Sequence, residues 1–169
     1  MKTTPLVLLM MGSDTDLPVM QEAAEILRSF DIPYEMRISS AHRSPVRTLA
    51  LASEAAGRGV KVIIAGAGMA AHLAGVVASK TILPVIGVPM PGGALNGVDA
   101  LYATVQMPAG IPVGTMAIGK AGAKNAGLFA VQILALSDSA LAEALRNYRA
   151  TMDKELEQKD ADLQSRLCG

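Results

Sequence analysis

The chain has 169 residues, with 15 Lys and Arg against 15 Asp and Glu and no net charge at neutral pH. That length suits one domain with a proper core, expected over 1–169, and the balanced charge gives no field that would favour nucleic acid or an anionic membrane. The one cysteine, Cys168, cannot staple a fold, and the apolar run after Met1 to Pro5 is too short for a secretory core, so the expected compartment is the cytoplasm.

Pro5 to Met11 is a short apolar run without alternation, the pattern of a parallel strand covered on both faces. Gly12 to Asp16 turns the chain, and Leu17, Met20, Ala24 and Leu27 repeat at helical spacing to about Phe30. Ser13 or Asp14 is expected to cap that helix; capping and the helix dipole are a sufficient account of Asp14. Asp16, a second carboxylate beside a glycine turn, is placed to accept ribose hydroxyls. Tyr34 to Ile38 reads as the second strand. Ser39-Ser40-Ala41-His42-Arg43-Ser44-Pro45 follows it as a strand-to-helix turn, where the Ser44 hydroxyl can cap and Pro45 can take the first helical position. Hydroxyls, a guanidinium and an imidazole are thus gathered at a helix amino end, which attracts anions.

The helix after Pro45 runs to about Ala56 and stops at Gly57-Arg58-Gly59, and Val60 to Ala65 is the third strand. A glycine turn, Gly66-Ala67-Gly68, then opens a short helix carrying the other histidine, His72. Pro84 to Val88 is a fourth strand, Val98 to Val105 a helix, and a fifth strand lies near Thr115 to Ile118. Ala123 to Leu136 is an apolar helix. Ser139 to about Leu167 is charged and amphipathic, with no strand after it, and is expected to pack on a neighbouring subunit as an extension (137–169) of an α/β core (1–136). Between Lys61 and Lys120 only Lys80 and Asp99 carry a formal charge, yet glycines and prolines interrupt the stretch too often for a membrane span. A small domain cannot hide so much uncharged surface alone, so a homo-oligomer is expected.

Strands alternating with helices make an α/β doubly wound parallel sheet, of common order 2-1-3-4-5. In that order the turns after the first three strands share one crevice, at the carboxyl edge where such sheets bind ligands. The crevice would hold hydroxyls, Asp16, Arg43, His42 and His72, a set that suits a phosphorylated sugar. Gly66 to Ala71 fits the dinucleotide pattern loosely but lacks its acidic partner, no P-loop occurs, and two histidines without nearby carboxylates make a poor metal site. No cofactor and no metal are expected.

Five ordered motifs, within roughly residues 6 to 136, resemble the class I PurE family, the N5-carboxyaminoimidazole ribonucleotide mutases of purine biosynthesis. They are Met11 to Asp16, Ser40 to Pro45, Ile64 to Gly68 with Ala70 to Leu73, Leu83 to Pro89, and Val105 to Pro108 through Pro112-Val113. The resemblance implies a flavodoxin-like fold, a homo-octamer, a small ribonucleotide substrate, and a site formed partly at subunit contacts. It implies that Ser13, Thr15, Ser40 and Arg43 hold the phosphate and Asp16 the ribose, that His42 moves protons, and that Gly68, His72 and Leu73 line the imidazole end. The family more often has Ser at 15, Gly at 69 and Pro at 74, where this chain has Thr15, Met69 and Ala74. Thr15 keeps the hydroxyl, whereas Met69 and Ala74 alter the wall of the third turn. Met90 to Gly93 departs from the family and is assigned no role. Moving a carboxylate from nitrogen to carbon needs a held carbon dioxide, one proton carrier and exclusion of water, and an imidazole changes protonation in the right pH range. Two alternatives stand beside the mutase: direct carboxylation of aminoimidazole ribonucleotide by carbon dioxide, as in class II relatives, and a non-catalytic nucleotide-binding module on the same fold.

Overall fold

The computed structural model describes residues 4–168. Met1 to Thr3 and the Cys168 thiol, which entered the expectations above, lie outside the described residues or side chains.

The strands are β1 (Val7–Met11), β2 (Tyr34–Ile38), β3 (Val62–Ala67), β4 (Val85–Pro89) and β5 (Gly114–Thr115), and the helices α1 (Leu17–Ser29), α2 (Pro45–Glu54), α3 (Leu73–Ala78), α4 (Val98–Val105), α5 (Gly119–Ala135) and α6 (Ser139–Cys168). The strands form one parallel sheet in the order β2-β1-β3-β4-β5. This is the α/β, flavodoxin-like arrangement expected from sequence. The register aligns the carboxyl ends: Met11 lies opposite both Ile38 and Gly66, and Gly66 opposite Val88. The chain therefore leaves four adjacent strands at one edge.

All five residues of β1 are buried, because alternate side chains feed two different cores. Val7, Leu9 and Met11 join Val62, Ile64, Ile86 and Val88 under Met20, Ala23 and Leu27 of α1 and Ala126, Ala130 and Val131 of α5. Leu8 and Met10 join Ile63, Ala65 and Val85 under Ala52 of α2 and Leu73, Ala74 and Val77 of α3. Each fully buried large apolar side chain, such as Leu8 or Leu9, contributes roughly 1.5–3 kcal/mol. Among the described residues no helix is long and apolar enough to cross a membrane.

Several boundaries differ from the sequence reading for local reasons. β3 starts two residues late because the Val60 N–H is still bonded to Ala55 O across the left-handed Gly59 (φ 93°), and Lys61 N–H makes the first bond to Leu6 O. At the other end Gly66 and Ala67 pair with Val88 and Pro89 of β4 and belong to the strand, not to the turn. β5 ends at Thr115, and α5 begins a turn before Ala123. Ser44 stands at the start of α2 but does not cap it; its hydroxyl donates to Ser40 O (3.1 Å) and accepts from Ser40 N–H (3.1 Å), tightening the preceding turn. The beginning of α6 covers its own chain, with Leu141 and Leu145 against the first core and the Tyr148 ring tilted against Phe30 at a centroid distance of 5.7 Å. From Arg149 to Leu167 the helix is exposed, including Met152, Leu156 and Leu163.

Gly87, in the middle of β4, marks a close approach. A Cβ there would lie 2.4 Å from Thr104 Cγ2 and 3.1 Å from Val113 Cγ1. Gly87→Val is expected to lower the unfolding free energy by about 1–3 kcal/mol, the usual range for overpacking, as read from denaturant melts.

Candidate functional site

The first turn is built by a reciprocal cap. Ser13 Oγ accepts from the Thr15 N–H (3.3 Å) and Asp16 Oδ2 accepts from the Ser13 N–H (3.1 Å), closing a 3-10 turn over Asp14–Asp16. Ser13 thus caps this turn, and α1 starts after it. The Thr15 hydroxyl donates to Ser13 Oγ at 2.9 Å, and Ser13 in turn donates to Asp14 Oδ1 at 3.0 Å. Two hydroxyls therefore sit side by side at the sheet edge, while Asp14 is used within the turn, as its capping role suggested.

The second turn is anchored from below. Ser39 N–H donates to Met11 O (2.8 Å), and its buried hydroxyl bonds Thr48 of α2 (2.8 Å). Above this anchor the Arg43 N–H donates to Ser40 Oγ (3.2 Å), and the Arg43 guanidinium reaches across to Gly12 O through Nη2 at 2.8 Å. The guanidinium is held beside the Ser13 and Thr15 hydroxyls with its other N–H groups available.

The third turn brings His72 to the start of α3, with Leu73 buried behind it. His42 Nε2 and His72 Nδ1 are 2.8 Å apart, with the rings nearly perpendicular at 85°. Such a contact requires one nitrogen to donate its N–H and the other to accept, so the tautomers of the two rings are matched across thirty residues of sequence.

These turns surround one cleft of about 510 Å³. Every site residue expected from sequence lines it. Missing from the sequence reading is a fourth wall, Met90-Pro91-Gly92-Gly93, the segment given no role. It follows β4, whose carboxyl end is aligned with the others; strand order alone could have brought it in.

The cleft has two unlike ends. Ser13, Thr15, Ser40 and Arg43 make a polar, cationic end suited to a phosphate. Gly68, Leu73 and Met90 make an apolar end, and the imidazole pair joins the second turn to the third. Asp16 is half-buried beside the polar end, and burial pushes its carboxyl above the ordinary 3.8, against the pull of the Ser13 and Gly12 N–H groups and Arg43. The folded chain then binds more protons than the unfolded one between those two pKa values, so this group's contribution to stability declines as pH rises from 3.8 through the raised value. Asp16→Asn keeps an acceptor and loses the charge. It is expected to raise the thermal midpoint at neutral pH, with the difference from wild type vanishing in acid, and to weaken ribonucleotide binding.

Residues 6–155 match the sequence model of a family described as AIR carboxylase. The chain is 56% identical over 155 residues to the N5-carboxyaminoimidazole ribonucleotide mutase of Pyrococcus horikoshii, covering 92% of this chain and 86% of that one. It is 52% identical to the protein of the same name from Escherichia coli, over 91% of this chain and 92% of the relative. The mutase of Mycobacterium leprae is 53% identical over 97% and 95%. Among solved structures, Treponema denticola PurE superposes with a TM-score of 0.84 at 29% identity, covering 94% of this chain and 98% of that one.

Proposed function

Since this chain belongs to the AIR carboxylase family, we infer that it is the isomerase of purine biosynthesis that converts N5-carboxyaminoimidazole ribonucleotide to 4-carboxy-5-aminoimidazole ribonucleotide. The relatives at 52–56% identity carry the mutase name, which favours isomerisation over direct carboxylation. The observation that carries the mechanism is the His42–His72 contact within the cleft.

In this reading Ser13, Thr15, Ser40 and Arg43 hold the 5′-phosphate and Asp16 the ribose hydroxyls. Gly68, His72 and Leu73 flank the imidazole. The exocyclic N–C bond breaks, its electron pair returns to nitrogen, and nitrogen takes up one proton while carbon dioxide stays in the apolar end. Ring C4 then attacks the carbon dioxide, forming the C–C bond, and the C4 proton leaves. One proton is taken up and one released, so a single carrier suffices, and His42 is that carrier. His72, hydrogen-bonded to His42 Nε2, orients the ring and leaves Nδ1 as its other nitrogen. The protein supplies positioning and a dry pocket beyond that step.

The same reading takes residues 1–169 as one domain working in the cytoplasm as a homo-oligomer, an octamer by resemblance. The exposed Ile82, Leu95 and Tyr102, and the uncovered length of α6 after Arg149, support subunit contacts. Incubation with N5-carboxyaminoimidazole ribonucleotide, without ATP or added bicarbonate, is expected to yield the 4-carboxy isomer. Product only from aminoimidazole ribonucleotide and carbon dioxide would make the protein a carboxylase. No product from either would leave a nucleotide-binding module.

A further inference from the structure

Beneath the turn that carries His42 lies a polar pair out of reach of water. Ser39 and Thr48 are 2% and 0% exposed, and their hydroxyls meet at 2.8 Å, the one buried hydrogen bond between two side chains among the described residues. A helical threonine can turn its hydroxyl back to the carbonyl four residues earlier, as Thr104 does to Ala100 O at 2.7 Å. Thr48 does not. The carbonyl at that spacing, Ser44 O, receives the Thr48 N–H at 3.0 Å, and the hydroxyl leaves the helix for Ser39. The chain between the two residues is closed twice. Ser44 N–H donates to Ser40 O at 2.9 Å, beside the hydroxyl bonds between the same residues, and makes an inner ring with His42 at its middle. The Ser39–Thr48 bond makes an outer ring, which Ser39 N–H ties to Met11 O of β1. The His42 imidazole has no such tie, since among the described residues it bonds only His72. Where that ring stands is set by how the base of its turn is held.

We propose that Ser39 and Thr48 are positioning residues for His42, their matched hydroxyls fixing the base of the turn so that the imidazole meets His72. The kinetic consequence rests on the isomerase reading, to which the proposal adds two residues that do not line the 510 Å³ cleft. What counts is the match. A hydroxyl buried without a partner is costly, whereas two apolar groups of the same shape can replace a bonded pair with little loss. An orphaned Ser39 hydroxyl is satisfied by movement toward water or another partner, and Ser39 is where the turn leaves β2. A misplacement of about 1 Å at a reacting group can cost about 10²-fold in rate, and a loosened anchor three residues away is expected to cost part of that.

Variants of the pair test it. Thr48→Val keeps the side-chain shape and removes the hydroxyl. It is expected to lower kcat for N5-carboxyaminoimidazole ribonucleotide about 10-fold with KM within about twofold, and to shift the 15N resonances of the His42 and His72 rings recorded without substrate. Thr48→Ser keeps the hydroxyl and should stay near wild type in both. Ser39→Ala combined with Thr48→Val removes both hydroxyls and should recover most of the rate and the wild-type resonances. Rates are taken per ribonucleotide-binding site and well below each melting temperature, so unfolded protein does not enter. If Thr48→Val does not fold, Ser39→Ala alone breaks the same pair, and the same losses are required of it. A folded single variant with wild-type kcat overturns the proposal, as do a lowered kcat with unmoved ring resonances and a double variant no better than the single. Absence of isomer from wild type is a different result: it removes the isomerase reading, and the ring resonances then decide the positioning alone.

Discussion

His42→Asn is expected to lower kcat roughly 10²- to 10⁴-fold, the span of a lost general acid–base group, with ribonucleotide affinity nearly unchanged. The geometry separates the two effects. His42 is exposed within the cleft and, among the described residues, its ring bonds only His72, whereas the groups proposed to hold the phosphate are tied to one another through Ser13, Thr15, Ser40, Arg43 and Gly12. Asparagine keeps a polar side chain of similar reach but cannot take up a proton and hand it on. Single-turnover rates beside a direct binding measurement decide the matter. A wild-type rate in this variant would end the proton-carrier assignment, and a parallel loss of binding would mean that the imidazole only positions.

Arg43→Ala should act on the other parameter. A hydrogen bond to a charged group is worth about 1.5–3 kcal/mol, which corresponds to a rise in KM of about 10- to 100-fold with kcat largely kept. Arg43 is exposed, so screening draws the effect toward the lower end, and added salt should narrow the gap between variant and wild type. The same guanidinium satisfies Gly12 O, so Arg43→Ala should also cost roughly 1 kcal/mol of stability. Lysine is a poor replacement, since one ammonium cannot present a fork to both the carbonyl and a phosphate. A variant that melts lower with an unchanged KM would confine Arg43 to holding the first two turns together.

What could be read in advance was what is local or periodic. The unbroken apolar run of β1, the exact span Tyr34–Ile38 and the helix Val98–Val105 follow from residue pattern alone. Strand order then brought three turns to one edge. What escaped depends on atoms meeting across sequence. The His42–His72 contact joins two turns thirty residues apart, a meeting that no local residue pattern encodes. Ser44 looked like a cap because serine before proline usually is one, but Ser40 offered its hydroxyl both a donor and an acceptor. The Met90 to Gly93 wall was passed over because it departs from the family's sequence, although its position after β4 placed it at the edge by the same argument as the other three.

The division of the two cores has a bearing on synthesis. Ser13, Arg43 and His72, and the strands that hold them, have all left the ribosome well before α5, yet α5 supplies Ala126, Ala130 and Val131 to the face of the sheet that α1 covers only in part. A nascent chain ending before Gly119 therefore owns the chemistry of three turns and lacks the lining that keeps Ile64 and Ile86 from water. Until translation passes Ala135, that face is open to chaperones and to other nascent chains.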